Sequence, residues 1–228
     1  MQGGSVQSGL GGEAFKARTS SFLIKKLLTN KFTILSTLFC VCLIASNIFE
    51  TKIFDAGPLT LTGGFLVFPI MYSLNDCLTE VYGYSKTRFT IILAMVLNLF
   101  FVGMAQIVRI LPEASYGEAQ AHLDYIFAAD LRITLASMLA FLFGGLINAK
   151  IMSRMHQLRG EKGFGWRAIV SSLAGESVDS LIFFPIAFFG IGWVNILELM
   201  VTQIILKTLY EAIVLPLTSL LVRYLKKS

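Results

Sequence analysis

Charge is scarce in this chain: Asp, Glu, Lys and Arg make up 14% of its 228 residues, against about 25% in an ordinary soluble domain. A water-facing surface over so long a chain needs more, which argues against a soluble globular fold. Histidine is scarcer still. His122 and His156 fall on opposite sides of the topology derived below, so they cannot share a metal. The three cysteines, Cys40, Cys42 and Cys77, sit inside apolar runs without CxxC spacing and read as small packing residues. A phosphate loop, a cofactor fingerprint and a Ser-His-Asp set are all lacking, and the acidic residues have no neighbouring His to activate a nucleophile. No catalytic residue, metal or cofactor is expected, and the chain does not read as an enzyme. The net charge of +5 comes without a basic patch interleaved with aromatics, so nucleic acid is not an expected partner.

What is abundant is apolar sequence. Hydrophobic residues make up 55% of the chain, and the mean hydropathy is +0.72. About 20 apolar residues span a bilayer as a helix, and six segments qualify: 32 to 53, 61 to 81, 88 to 111, 131 to 152, 166 to 190 and 196 to 224. Stretches such as FTIILAMVLNLFFVGMAQIV are continuously apolar rather than alternating, which excludes a transmembrane barrel. The expected fold is therefore all-α, a polytopic membrane protein with six transmembrane helices, and three spans per half would allow a 3+3 inverted repeat. Residues 1–31 read as a polar, Gly- and Ser-rich tail that is partly disordered, and 32–228 as one transmembrane domain. The loop after the third span has room for a short interfacial helix beginning near Gly117.

Basic residues set the orientation. Lys16, Arg18, Lys25, Lys26 and Lys31 precede the first span, Lys86 and Arg88 follow the second, Lys150, Arg154, Arg159, Lys162 and Arg167 surround the fourth connection, and Arg223, Lys226 and Lys227 close the chain. All fall on one side, whereas the other side holds mostly acidic residues. Both termini are expected to be cytoplasmic.

The polar residues inside the spans carry the functional information, because a charge at bilayer depth costs roughly 2.5 to 3.5 kcal/mol and persists where it pairs or lines a polar cavity. Glu176 and Asp179 occupy the fifth span, Lys207 and Glu211 the sixth, and each pair shares a helical face. An ion pair between Asp179 and Lys207 is expected. In the second span Tyr72, Asp76 and Glu80 recur every four residues, with Glu80 near the basic loops as either a structural anchor or a coupling residue. Pro69 is expected to weaken that helix before Asp76. Arg132 opens the fourth span, where it can pair with Asp130 or headgroups or reach inward. Asn47 suits a cap or an interhelical hydrogen bond. Phe68 and Phe184 lie near polar clusters and are candidates for stacking a planar ligand.

Several of these stretches together resemble a known family. SN..ETK in the first span, FPIMYSLNDCLTEVYG in the second, LRITLASMLAF in the fourth, SSLAGESVDSLIFFPIAFFG in the fifth and the Lys207 to Pro216 stretch in the sixth look like the bacterial queuosine precursor transporters. The most specific pieces are FP followed by D..TE.YG, and ES.DS..F..IAF.G. The resemblance implies a multi-pass importer of the bacterial inner membrane, a secondary transporter working by alternating access. Its cargo would be a 7-deazaguanine such as 7-cyano-7-deazaguanine, its aminomethyl relative or queuine. The partners implied are that small molecule, the lipid bilayer and, as an option, a second copy in a homodimer.

A guanine-like edge presents adjacent N–H donors to a carboxylate, and its ring presents flat faces to aromatics. The substrate-binding candidates are accordingly Asn47, Phe68, Tyr72, Asp76, Arg132, Glu176, Asp179, Gln203, Lys207 and Glu211. Asp179 or Glu176 would take the guanine edge, Asp76 or Glu211 an aminomethyl cation, and Asn47 and Gln203 the carbonyl or ring nitrogens. The alternative is a substrate-binding membrane subunit of an ATP-driven vitamin or nucleobase uptake system. Such modules typically dock through an Ala-x-x-x-Ala surface in the first span, and 32 to 53 contains none.

Overall fold

A computed structural model describes residues 30–49, 51–56, 59–113, 117, 119–127, 131–160, 163–190 and 192–226. The expectation for the N-terminal tail, 1–31, lies outside that set except at its last two residues, of which Lys31 already begins the first described helix. Among the described residues the chain is all-α, with one small hairpin. The helices are α1 (Lys31–Phe49), α2 (Phe68–Tyr82), α3 (Tyr84–Ile110), α4 (Ala119–Phe127), α5 (Leu131–Arg159), α6 (Phe164–Ala187) and α7 (Trp193–Lys226). Strands β1 (Ile53–Ala56) and β2 (Leu59–Thr62) pair antiparallel, with Ile53 opposite Thr62 and Ala56 opposite Leu59, and a 3-10 turn, Gly63–Leu66, leads into α2.

Among the described residues five helices are long and apolar enough to cross a membrane: α1, α3, α6 and the greater parts of α5 and α7. The second expected segment, 61 to 81, departs from a simple span. Its first residues are strand and 3-10 turn, and its helix has 15 residues, about 22 Å against a hydrocarbon core of about 30 Å. The first segment likewise stops at Phe49 rather than 53. Pro69 does not break α2 as expected. It stands in the first turn, where a missing N–H costs nothing and the fixed φ favours the helix. The short helix α4 begins two residues beyond Gly117.

The outside of the bundle is apolar, and polar and charged residues are buried inside among apolar ones. Phe89, Phe100, Ile107, Leu181, Ile205, Ile213 and Leu217 are exposed on helix surfaces, whereas Asn75, Asp76, Glu80, Asn98, Asn148, Arg167, Glu176 and Glu211 are buried. That inversion of the soluble pattern is stable only where lipid faces the outer surface. Helix α2 is the innermost element, with every residue from 71 to 80 buried. It ends at Gly83, whose φ of +81 suits a residue without Cβ and lets α3 start at the next residue.

Helices α5 and α6 cross at their glycines. A Cβ on Gly144 would lie 2.9 Å from the Gly175 carbonyl oxygen and 3.0 Å from Asp179 Cβ, and one on Gly175 would lie 2.9 Å from Asn148 Cβ. Small residues permit that approach. The start of α1 and the end of α7 meet at one end of the bundle, where Lys31 Nζ sits 4.2 Å from the Tyr224 ring centroid and Phe32 packs edge-on against Tyr82.

Candidate functional site

Helical spacing brings two charged groups of different character onto α2. The first lies at the end of the bundle where both described termini meet. Glu80 Oε2 accepts from Arg167 Nη2 of α6 at 2.6 Å and lies 3.0 Å from His156 Nδ1 of α5, while its Oε1 accepts from Lys226 Nζ of α7 at 2.9 Å. Arg167 and Glu80 are buried, at 0% and 6% exposure. Arg167 also donates to the Gly160 carbonyl. The sequence marked Arg167 as a loop charge; it is instead the most enclosed basic group of this network. Lys86 and Arg88 lie over aromatic rings: Lys86 near Phe32 and Tyr82, Arg88 near Tyr84.

The second group occupies the middle of the bundle. Lys207 Nζ of α7 lies 3.0 Å from Glu176 Oε2 and 3.5 Å from Asp179 Oδ2 of α6. The expected Asp179 pair therefore exists, with Glu176 the nearer partner. Lys207 also stands 5.0 Å from the centroid of the Phe68 ring, a cation–π distance, which ties the start of α2 to α7. Tyr72, one turn on from Phe68, faces Glu176. One further turn along, Asp76 lies against Glu211 of α7 and Asn148 of α5, but neither of its carboxylate oxygens has a well-formed hydrogen bond. Glu211 does not share Lys207; its Oε1 accepts from the Ser172 hydroxyl of α6, and Asn148 Nδ2 approaches the same hydroxyl at 3.4 Å. Four carboxylates and one lysine thus line the centre.

The remaining candidates disperse. Asn47 donates to Asn98 Oδ1 at 3.0 Å, joining α1 to α3, and both line a crevice with Phe68, Ser137, Met138 and Phe141. Phe68 is the wall common to this crevice and the Lys207 group. Gln203 is half-buried one turn before Lys207 on α7. Arg132 begins α5, but its side chain lies outside the described residues. Phe184 is a correction: it packs with Phe183, Phe188, Ile196 and Met200 in an apolar cluster, because its side of α6 faces the first turns of α7 rather than the charged centre.

Sequence reasoning missed Asn148, Ser172, Asn98, His156 and Lys226 as contributors. Asn98 and Asn148 had a signal, an amide inside the apolar runs AMVLNLFF and GGLINAK. His156 and Lys226 did not stand out from the basic residues that mark one membrane side.

An apolar-coated helical bundle with charged groups facing one another across its interior defines a multi-pass membrane protein of the transporter class. Residues 62–221 match the family described as "Putative vitamin uptake transporter", and the chain belongs to that family. It is 26% identical over 175 residues to the "Probable queuosine precursor transporter" of Bacillus subtilis (strain 168), covering 76% of each chain. It is 27% identical over 129 residues to the protein of the same description from Haemophilus influenzae (strain ATCC 51907 / DSM 11121 / KW20 / Rd), covering 56% of this chain and 52% of that one. No solved structure matches the chain.

Proposed function

We propose that this transporter imports queuosine precursors, the 7-deazaguanine bases, and that the base binds in the middle of the bundle between α2, α6 and α7. One observation carries the reading: Lys207 is held by Glu176 and Asp179 directly over the Phe68 ring. A planar base displacing the lysine from the ring face would gain a stacking partner, and its adjacent N–H donors would meet a carboxylate that accepts two at once. The lysine freed from one carboxylate remains beside the other, so no charge is stranded. Tyr72 stands beside Glu176 to complete the edge, and Asp76 or Glu211 would take an aminomethyl substituent.

Alternating access suits this arrangement. The Glu80 network would close the end expected to face the cytoplasm, with both termini on that side of a bacterial inner membrane, and the bound cargo would be released unchanged when it opens. Uptake into proteoliposomes containing only this protein tests the reading, with labelled 7-cyano-7-deazaguanine and queuine, wild type against Asp179→Asn and Lys207→Met. Saturable uptake lost in both variants supports it. Binding without uptake by folded wild-type protein would instead favour a capture subunit that needs an ATP-hydrolysing partner, and no binding at all would remove the deazaguanine assignment.

A further inference from the structure

We propose that Asp76, Asn148, Ser172 and Glu211 form a binding site for a small monovalent cation, Na+, enclosed by α2, α5, α6 and α7. It deepens the transport reading by supplying a driving ion, and rests on that reading only for the coupling it implies, not for the binding itself.

The donor set is oxygen-rich: two carboxylates, an amide and a hydroxyl, the hard ligands that suit s-block cations and not soft or imidazole-seeking metals. All four residues are buried, with Asp76 at 1%, Asn148 and Ser172 at 0% and Glu211 at 4% exposure. Both Asp76 oxygens and Asn148 Oδ1 lack a well-formed hydrogen bond, although Asp76 lies close enough to Asn148 and Glu211 to interact with both. Buried oxygens of native proteins are nearly always satisfied, and unsatisfied ones gathered from two helices point to a ligand that accepts lone pairs.

The neighbouring basic groups are committed elsewhere. Lys207 sits on Glu176 and Asp179, and Arg167, Lys226 and His156 converge on Glu80, one turn along α2. Among the described residues no ion pair joins a basic side chain to Asp76 or Glu211. The other titratable groups nearby, Cys77 and Tyr72 on α2, supply no positive charge. Coordination number and hydration argue against the divalent ions. Ca2+ takes about 6 to 8 oxygens and Mg2+ keeps several of its own waters, and four side chains packed between helices suit neither. The same cage also joins α2, α5, α6 and α7, so an ion within it would couple the helix that carries Phe68 to those that carry Asp179 and Lys207.

The test is thermal unfolding of the solubilised full-length chain at equal ionic strength in NaCl, KCl and N-methylglucamine chloride. The expected result is a saturable rise in midpoint with Na+ that K+ and N-methylglucamine do not reproduce. Asn148→Ala, which removes one oxygen without changing charge, should raise the half-saturating Na+ at least about tenfold, and Asp76→Asn should abolish the response. Asn148→Ala keeps the test decisive if Asp76→Asn fails to fold. Equal midpoints in all three salts overturn the site, as does a Na+ response retained in both variants. A midpoint that responds to pH through Asp76 and ignores Na+ also overturns it and assigns a proton instead. Failure of deazaguanine uptake with the Na+ response intact removes the cargo reading and leaves the cation site standing.

Discussion

Asp76 and Glu80 are one turn apart on the same buried helix, about 6 Å along its axis, yet their surroundings are opposites. Glu80 has a guanidinium, an ammonium and an imidazole within 3.0 Å. Asp76 has a second carboxylate and an amide. A buried charge with full complements holds helices in one arrangement, because parting them would strand ions in a medium that cannot solvate them. Carboxylates without complements are expensive to keep, and their presence makes sense where a mobile partner supplies the missing charge or N–H donors. On the proposed reading, closure and binding are separated along a single helix by whether charge is balanced.

The sharpest break in that comparison should come from Arg167. Replacing it with Met leaves Glu80 buried against His156 and Lys226, whose side chains are 34% and 27% exposed and therefore lie partly in water. Removing one member of a buried pair costs about 3 to 5 kcal/mol, so the variant should unfold at a markedly lower temperature or fail to accumulate. A midpoint indistinguishable from wild type would mean the network does not fasten the bundle.

A somewhat smaller effect is expected at the α5–α6 crossing. Gly144→Ala pushes a methyl to 2.9 Å from the Gly175 carbonyl and 3.0 Å from Asp179 Cβ, and the backbone contact cannot yield as a flexible side-chain end would. Overpacking of this kind costs about 1 to 3 kcal/mol. Because Asp179 must move with it, uptake should fall along with stability. A Gly103→Ala control, where nothing lies within 4 Å, should change neither, and equal behaviour of the two variants would refute the close-packing argument.

Asp76→Asn should behave oppositely to Arg167→Met. In a buffer without Na+ it keeps the shape of the side chain and breaks no ion pair among the described residues, so the unfolding midpoint should stay near that of wild type while transport is lost. Comparing unfolding midpoints with uptake rates separates the two effects. A destabilisation as large as that of Arg167→Met would show Asp76 to be a structural partner like Glu80.

The outline of this fold was legible because lipid imposes it: continuous apolar runs are long in α1, α3, α5, α6 and α7, and nothing but a helix satisfies the backbone there. Helix α2 was harder to read. FPIMYSLNDCLTEVY is less apolar because it touches protein on all sides rather than lipid, and Pro69 reads as a breaker until the first-turn position is known. The pairing of Lys207 with Glu176 and Asp179 was foreshadowed by spacing on two helices. Asn148 and Ser172 were not, since a lone amide or hydroxyl in an apolar helix more often bonds its own backbone, as Ser171 does to the Ala168 carbonyl and Thr79 to that of Asn75. Arg167 was masked by its position among charges that merely mark one face of the membrane.

The mildest prediction concerns Asn47 and Asn98. Their single 3.0 Å hydrogen bond joins α1 to α3, and interhelical bonds of this kind contribute about 0.6 kcal/mol in membrane proteins, because each amide finds another partner when the helices part. A double-mutant cycle with Asn47→Ala and Asn98→Ala should return a coupling of about that size. The pair also lines the crevice that shares Phe68 with the Lys207 group. A pure fastening role predicts that Asn98→Ala changes uptake no more than it changes stability. A tenfold fall in uptake by a folded Asn98→Ala protein, with the half-saturating cargo concentration raised, would extend the binding region from the charged centre through Phe68 to α1 and α3, and would make an amide pair, not only carboxylates, part of how the cargo edge is read.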